Sequence, residues 1–512
     1  MSKRTRIICT MGPSVDDDDL LRSLIISGMD VARLNFSHGT YEEQAGRIER
    51  IKRIRSECGT PTAIMLDTKG PEIRIGMLPE PRSLARWEKV TLSPVESASG
   101  DAIPQTYADL AAQVHPGDRI LLDDGLIELK VKTCNGDDIH CEVLNPGTLK
   151  SRKSLNVPGV SIPFPAITEQ DKADIAFGLE QGIDFVALSF VKTAEAVRQV
   201  RAYIRSLTDE NIGIIAKVEN ADAVANVAEI IKAADAVMVA RGDLGVEVPE
   251  YEVPHLQKRI IRKCNAEHKP VIIATQMLES MTANPRPTRA EATDVANAIY
   301  DGADCVMLSG ETAAGQYPIE AVSVMAKIAE VTEKNIFDDG FQPHHSRGLK
   351  SVSHAVGIAA VQTALDVDAR CIVCPTMTGR SARLISSLRP KIPIYAVSPS
   401  SRVMRSMQLF WGVTPMLGDV QGNMKSVIEN ARDVVYEAGH VEEGDIAVFT
   451  CGDRFTSPVQ RFPDGSVERF APANVMYVVQ IHPQEMVQAV DDGTGDALMT
   501  YAFFDRSSSR MS

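Results

Sequence analysis

The sequence predicts an α/β protein built on a (β/α)8 TIM barrel, with a small all-β insertion domain after the third strand and a C-terminal open α/β domain. Short apolar runs alternate with helical stretches eight times. A β-rich segment with many Pro and Gly residues interrupts this series after the third run, and a second alternation begins near residue 351. Continuous apolar runs that alternate with helices are typical of parallel strands buried on both faces.

Each of the eight runs ends in polar residues and predicts one strand of the barrel. In chain order they are RIICTMG (6–12), MDVARLNFS (29–37), TAIMLDT (62–68), IDFVALSF (183–190), NIGIIAKVE (211–219), AVMVARGD (236–243), PVIIATQ (270–276) and DCVMLSGE (304–311). Helical spacing lies between them, for example over 19–26, 169–179, 221–231, 288–299 and 319–331. Barrel chemistry takes place at the C-terminal ends of the strands, so the polar residues that end each run are the first candidates for a site.

The pattern divides the chain into four segments. We expect the barrel to comprise residues 1–70 and 164–340, the β-rich insertion residues 71–163, the C-terminal α/β domain residues 341–481, and a polar extension without functional signal residues 482–512. Because the insertion leaves the barrel at its catalytic end, it is predicted to act as a lid.

Composition favours a cytoplasmic protein whose main partner is not nucleic acid. Among 512 residues, 54 are Lys or Arg and 68 are Asp or Glu, which gives a net charge of -14, and the basic residues form no stripe suited to nucleic acid. No apolar run is long enough to span a membrane, and the start of the chain lacks a secretory pattern. The nine cysteines predict free thiols in a reducing compartment. Cys371 and Cys374 would point to opposite faces of one strand, which favours packing over redox or zinc chemistry.

The fifth and sixth strands carry the clearest candidate site. AKVEN places Lys217 and Glu219 on one face at the end of the fifth strand, and ARGDLGVE presents Gly242 and Asp243 at the end of the sixth. A single carboxylate at a strand end is a helix cap about as often as it is a functional residue. Two carboxylates and a lysine on neighbouring strand ends can instead hold a hard divalent cation and stabilise developing negative charge.

The second and third strands offer a further set of polar residues. Their oxygens suit a weakly held monovalent ion and their arginines suit phosphate. The set comprises Arg33, Asn35 and Ser37 in ARLNFSHG, and Asp67, Thr68, Lys69, Glu72 and Arg74 in LDTKGPEIR. Asn35 and Ser37 alone would more often be turn and cap residues.

The motifs ARLNFSHG, LDTKGPEIR, AKVEN, ARGDLGVE, ATQMLESM and NPRPTRAEATDVANAIYDG, in this order, closely resemble the pyruvate kinase family. The resemblance is strong over residues 3–335 and looser in the C-terminal domain. It implies transfer of a phosphoryl group from phosphoenolpyruvate to ADP, giving pyruvate and ATP, with Mg²⁺ (or Mn²⁺) and K⁺ as cofactors. No GxxxxGK phosphate loop occurs, so side chains and metal would hold the phosphates.

The resemblance also implies a role for each matched position. Arg33 would bind the transferring phosphoryl group and Lys217 would stabilise its transition state. Glu219 and Asp243 would bind Mg²⁺, the backbone of Gly242 would contact the substrate carboxylate, and Thr275 would lie near the proton delivered to the enolate. The implied K⁺ site consists of Asn35, Ser37, Asp67 and Thr68, and the implied nucleotide contacts are Asn35, Phe36, Ser37, His38, Arg74 and Lys153.

Three expectations concern regulation and assembly. In the family, Glu at the position of Glu72 accompanies a requirement for K⁺. The turn PTMTGRSA resembles an effector-phosphate loop, with Thr376, Thr378, Gly379, Arg380 and Ser381 at a helix N-terminus. The segment CGDRFTSPVQRFPDGSVERFAPANV departs from the family, so the phosphorylated effector is left open. Family members are usually homotetramers.

Two alternative functions remain open at this stage. One is another barrel enzyme that acts on phosphoenolpyruvate or pyruvate, such as a lyase or mutase. The other is a catalytically silent regulatory paralogue.

Overall fold

The computed structural model describes residues 3–339, 351–452 and 473–482, and the backbone of four short strands within 459–461, 467–469, 487–490 and 498–501. The chain begins with strands β1 (Arg6–Thr10), β2 (Val31–Asn35) and β3 (Ala63–Asp67), which alternate with helices α1 (Asp18–Ser27) and α2 (Tyr41–Glu57). Asp17 caps α1 by accepting hydrogen bonds from two backbone N–H groups, and Thr40 and Glu43 form a capping box at α2.

A β-rich insertion follows β3, as predicted. Its strands are β4 (Ile73–Arg74), β5 (Arg82–Leu84), β6 (Lys89–Pro94), β7 (Ile103–Gln105), β8 (Arg119–Leu122), β9 (Ile127–Asn135), β10 (Asp138–Val143), β11 (Gly147–Leu149) and β12 (Ser154–Asn156). They form a seven-stranded sheet and a two-stranded sheet around a separate apolar core. One short helix, α3 (Leu110–Gln113), was not predicted.

The chain then completes the barrel with five more strands: β13 (Phe185–Leu188), β14 (Gly213–Val218), β15 (Ala236–Ala240), β16 (Val271–Ala274) and β17 (Cys305–Leu308). The helices of this part are α4 (Glu169–Glu180), α5 (Ala194–Leu207), α6 (Ala221–Ala225), α7 (Val227–Ala233), α8 (Arg241–Glu247), α9 (Val253–Ala266), α10 (Arg289–Tyr300), α11 (Gly310–Ala313) and α12 (Pro318–Asp338). The eight parallel strands close in the order β1-β17-β16-β15-β14-β13-β3-β2. All eight predicted strands are therefore present.

Some local expectations differ from the structure. The sixth strand ends at Ala240, so Gly242 and Asp243 lie in the first turn of α8 and not at the end of the strand. The helix predicted over 221–231 is divided at Asn226 into α6 and α7. The seventh strand ends at Ala274, so Thr275 and Gln276 lie beyond it, and both have left-handed backbone conformations that a strand cannot accommodate.

The C-terminal part is an open α/β sheet, as predicted. Its elements are α13 (Val352–Asp366), β18 (Cys371–Pro375), α14 (Arg380–Ser387), β19 (Ile394–Ser398), α15 (Ser401–Ser406), β20 (Val413–Leu417), α16 (Met424–Glu437), β21 (Ile446–Cys451), β22 (Val459–Arg461), β23 (Val467–Arg469), β24 (Val475–Gln480), β25 (Val487–Val490) and β26 (Leu498–Tyr501). The sheet order is β20-β19-β18-β21-β24, and β24 runs antiparallel. Cys371 and Cys374 lie in different apolar clusters, on opposite faces of β18. The antiparallel pair β25 and β26 falls in the polar extension, in which the sequence shows no functional signal.

Aspartates at the N-terminal end of the barrel attach the C-terminal domain. Asp184 precedes β13 and Asp304 precedes β17, and each also accepts a hydrogen bond from the first residues of a neighbouring strand. Arg405 binds Asp184 at 2.7 Å and Arg389 binds Asp304 at 2.9 Å. The C-terminal domain therefore packs against the end of the barrel that faces away from the strand C-termini. In the part of the chain described here, no helix is both long and apolar enough to cross a membrane.

Candidate active site

A cluster of buried charges lies where β2, β3 and β14 end. The Lys217 ammonium is 2.7 Å from Glu219 Oε1 and 3.1 Å from Asp67 Oδ1. The other Asp67 oxygen accepts a hydrogen bond of 2.6 Å from Arg33 Nε, and Arg33 also donates to the Thr10 hydroxyl. Asp67 and Glu219 are each 1% exposed. Sequence analysis had assigned four of these five residues to a site, and the structure brings those four together.

The charges of the cluster control one another's ionisation. Burial alone would raise the pKa of Asp67, but Lys217 and Arg33 hold it below its ordinary value. Burial alone would lower the pKa of Lys217, yet the carboxylates of Asp67 and Glu219 raise it. Lys217 is therefore a permanent cation at neutral pH.

The carboxylates of Glu219 and Asp243 are less well compensated. Burial, and then the nearby charge of Asp243, raises the pKa of Glu219 above its ordinary value although Lys217 opposes the shift. Asp243 is exposed to the cleft, and desolvation by the cleft walls still raises its pKa. A divalent cation between the two carboxylates would relieve this excess of negative charge, so the donor set fits Mg²⁺. Among the described residues no group of three or more His, Cys, Asp or Glu is arranged around a metal position, so the remaining ligands would have to come from substrate or water.

Ser189 and Phe190, which follow β13, were not singled out from the sequence. The Ser189 hydroxyl accepts a hydrogen bond of 2.8 Å from Lys217 Nζ and donates one of 2.6 Å to the Thr68 carbonyl. The Phe190 N–H donates to Glu219 Oε2 at 2.6 Å. Ser189 is a polar residue at the end of a predicted strand, so the rule that selected Lys217 would also have selected it, whereas Phe190 acts through its backbone N–H, which no side-chain rule could find.

Thr275 faces the start of α8 across the mouth of the barrel. Its hydroxyl accepts a hydrogen bond of 2.8 Å from the Gly242 N–H and donates one of 2.6 Å to the Ala274 carbonyl. The implied contact between Gly242 and a substrate carboxylate would therefore have to share or replace this bond. Thr275 and Gly242 are therefore in direct contact.

The four residues of the implied K⁺ site supply only oxygen donors, which suits K⁺. Asn35 Oδ1 accepts a hydrogen bond from the Ser37 N–H at 3.1 Å, and both Thr68 oxygens bind Ser189. Asp67 is the only charged member of the set. A single carboxylate among neutral oxygens matches an ion of single charge.

A cleft with a volume of about 300 Å³ lies between the barrel and the insertion. Its walls include Arg74 and Lys153 from the insertion and Asp243 from the barrel. Arg74 binds Glu72 at 2.8 Å and Lys153 binds Asp123 at 2.6 Å. The stretch from Asn35 to His38 does not line this cleft, and the His38 side chain is exposed. The structure thus brings together only part of the implied nucleotide set.

Three contacts join the insertion to the barrel beside this cleft. Asn156 Nδ2 donates to Glu247 Oε1 at 3.2 Å, Ser161 Oγ donates to Asp222 at 2.6 Å, and Lys192 Nζ donates to the Ile162 carbonyl at 2.6 Å. Each contact is a hydrogen bond donated by a side chain, which a rigid-body movement can break and remake.

The five residues of the implied effector loop lie in the turn after β18 and in the first turn of α14. Gly379 has a φ of 77°, which favours glycine, and its N–H donates to the Thr376 hydroxyl at 2.9 Å. Ser381 is buried in the first turn of α14. Much of the segment with which the sequence departs from the family, residues 453–458, 462–466 and 470–472, lies outside the described residues.

Comparisons with known proteins agree with this architecture. The family model "Pyruvate kinase, barrel domain" matches residues 2–322 and "Pyruvate kinase, alpha/beta domain" matches residues 354–460. A pyruvate kinase of Clostridium acetobutylicum is 45% identical over 454 residues, which are 88% of this chain and 96% of that protein. A pyruvate kinase of Geobacillus stearothermophilus is 46% identical over 457 residues, 88% of this chain and 78% of the relative.

A solved structure gives the same result. The crystal structure of a pyruvate kinase from Cryptosporidium parvum superposes with a TM-score of 0.85 and 38% identity, over 93% of this chain and 96% of that one. The order of the motifs, the closed barrel with its insertion, and these matches lead to one conclusion: the chain belongs to the pyruvate kinase family.

Proposed function

We propose that this protein transfers the phosphoryl group of phosphoenolpyruvate to ADP, giving pyruvate and ATP. The observation that carries the proposal is the convergence of Arg33, Lys217 and the carboxylates of Asp67, Glu219 and Asp243 at the C-terminal ends of four barrel strands. Phosphoryl transfer depends on positioning and on neutralising spread negative charge, and this cluster offers both cations and metal-binding oxygens.

Arg33 and Lys217 would act on the phosphoryl group itself. Asp67 holds both cations through its two oxygens, so it fixes the distance between them. Preorganised cations in a site that excludes water stabilise transition-state charge without reorganising at the moment of reaction. Lys217 would supply charge to the transition state, and Arg33 would anchor the phosphoryl oxygens with its planar fork of donors.

Glu219 and Asp243 would hold Mg²⁺ (or Mn²⁺), and Asn35, Ser37, Asp67 and Thr68 would hold K⁺. The metal would supply Lewis-acid polarisation of the phosphoryl and enolate oxygens. Lys217 also orients Glu219 through its 2.7 Å contact with Oε1, and the Phe190 N–H donates a hydrogen bond to Oε2.

The remaining residues would bind and shield the substrates. Thr275 would lie on the path by which a proton reaches the enolate carbon. Arg74, Lys153 and His38, with the 35–37 stretch, would contact the nucleotide. The 71–163 insertion would close over the cleft and exclude water during this step.

We extend the proposal to regulation and assembly. A phosphorylated metabolite would bind the turn from Thr376 to Ser381, and the chain would form a homotetramer in the cytoplasm. The helix N-terminus of α14 and the family relationship support the effector site. If Arg380→Ala leaves activation unchanged for every metabolite that activates the wild type, the effector site is elsewhere.

The test is a coupled assay for pyruvate with phosphoenolpyruvate, ADP, Mg²⁺ and K⁺. We expect pyruvate formation that requires all four components. Pyruvate formed without ADP would indicate hydrolysis of phosphoenolpyruvate instead of transfer to ADP. No pyruvate under any of these conditions would remove the proposal and favour a lyase, a mutase or a silent paralogue.

A further inference from the structure

Arg241, the first residue of α8, donates hydrogen bonds to backbone carbonyls at the end of the seventh barrel strand. Its Nη2 donates to the Thr275 carbonyl at 2.7 Å and to the Gln276 carbonyl at 3.2 Å, and its Nε lies 3.4 Å from the Ala274 carbonyl. The side chain is 11% exposed. One guanidinium therefore contacts three consecutive carbonyls immediately after β16.

The backbone that Arg241 holds is strained. Thr275 has a φ of 68° and Gln276 a φ of 52°. A left-handed conformation costs a residue other than glycine about 1–2 kcal/mol, and it is most unusual for a β-branched residue such as threonine. Such a conformation persists only where surrounding contacts over-determine it, and the contacts here come from Arg241.

A carboxylate on a third element fixes the guanidinium itself. Arg241 Nη1 binds Asp294 of α10 at 2.8 and 2.7 Å through both carboxylate oxygens. The adjacent Gly242 N–H meanwhile donates to the Thr275 hydroxyl. The start of α8 thus binds Thr275 at both its carbonyl and its hydroxyl.

We propose that Arg241 is a positioning residue, which holds the Thr275 hydroxyl in the orientation required for protonation of the enolate. This inference rests on the proposed function of Thr275. In that step the electron pair of the enolate C=C bond forms the new C–H bond, and a lone pair of the enolate oxygen forms the ketone C=O bond. The Thr275 hydroxyl passes on one proton and takes one back from water, and the hydroxide that remains is neutralised by a solvent proton.

The consequence is a specific separation of kinetic effects. Arg241 touches none of the residues assigned to the phosphoryl group, so its loss should impair proton delivery more than binding of phosphoenolpyruvate. A displacement of about 1 Å at a reacting group costs about 10²-fold in rate. An interaction made only in the transition state lowers kcat and leaves KM nearly unchanged.

The test compares Arg241→Gln with Arg259→Gln, the same change at an exposed arginine of α9. Two quantities are measured: steady-state kinetics, and exchange of the pyruvate methyl hydrogens in D₂O with Mg²⁺, K⁺ and ATP. We expect kcat and the exchange rate of Arg241→Gln to fall together by about 10²-fold, with KM within about threefold. Arg241→Lys should remain impaired by more than about tenfold, because an ammonium cannot reproduce the fork of donors. Wild-type behaviour of Arg241→Gln would overturn the inference.

A double-mutant cycle separates positioning from general damage. In a Thr275→Ala background, Arg241→Gln should cost less than about threefold, since the group it positions is gone. Losses that multiply in the double variant would overturn the inference. Should Arg241→Gln fail to fold, Asp294→Asn replaces it, with an expected loss of about 3- to 10-fold that also disappears in the Thr275→Ala background. An inactive wild type would instead refute the proposed function.

Discussion

Replacing Lys217 by methionine removes the central ammonium group while it keeps most of the side-chain length. The Nζ distances to Glu219 and Asp67 are 2.7 and 3.1 Å. With an effective dielectric constant of about 20, these distances correspond to about 6 and about 5 kcal/mol of Coulomb attraction. Desolvation offsets much of this, and loss of one partner from a buried ion pair costs about 3–5 kcal/mol. We therefore expect Lys217→Met to lower the free energy of unfolding by about 3–5 kcal/mol.

The same substitution should abolish most of the activity. We expect kcat for pyruvate formation to fall by about 10³-fold or more, because the charge that stabilises the transition state is missing. The coupled assay measures kcat, and urea unfolding with and without Mg²⁺ measures stability. Mg²⁺ should restore more stability to Lys217→Met than it adds to the wild type, since Glu219 has lost its counter-charge. The control is Lys172→Met, whose partner Glu169 is 89% exposed. A kcat within about tenfold of the wild type would refute the role given to Lys217.

Three further predictions concern other parts of the molecule. Activity should require K⁺. Glu72→Lys should weaken the requirement, because the ammonium group of the introduced lysine can replace the charge of the ion. Equal rates of the wild type with K⁺ and in Tris buffer without K⁺ would contradict the K⁺ requirement. Asp304→Asn should lower the free energy of unfolding by about 3 kcal/mol, because Arg389 loses its buried carboxylate partner at the interface with the C-terminal domain. The control Glu195→Gln, in an exposed ion pair, should lower it by less than about 0.5 kcal/mol. Urea unfolding measures both. Burial lowers the pKa of Lys269 in the folded protein to about 8. Between about pH 8 and about pH 10.4, Lys269 is therefore protonated in the unfolded chain and mostly neutral in the folded protein. The stability of the wild type relative to Lys269→Met should therefore rise across that window in urea titrations, and a flat or falling difference would count against it.

Periodicity was sufficient to predict the barrel, because strands buried on both faces must be continuously apolar. It did not predict the break at Asn226 or the pair β25 and β26. The two halves of the broken helix share one apolar pattern, and β25 and β26 lie in the stretch that the sequence analysis treated as a polar extension.

The site was predictable where it depends on position along a strand. Lys217 and Glu219 lie at the end of β14, and Asp243 lies three residues after β15, in the first turn of α8. Because the C-terminal ends of the barrel strands meet at one face, the barrel alone predicts that these residues lie on the same side of the molecule. Arg241 also lies at the end of a predicted run, but its role could not be predicted, because its contacts are to Thr275 and Asp294 in two other parts of the fold. The role of a positioning residue depends on contacts between parts of the chain that are distant in sequence, and a local sequence pattern does not predict such contacts.

The paired carboxylates of Glu219 and Asp243 are the centre of the proposed site, and anomalous diffraction from crystals soaked in Mn²⁺ tests them most directly. We predict a single strong peak at about 2.1 Å from an oxygen of each carboxylate, close to the geometry of Mg²⁺, and its loss in Glu219→Gln. A peak at any other position, or one that survives Glu219→Gln, would contradict the assignment of the metal site.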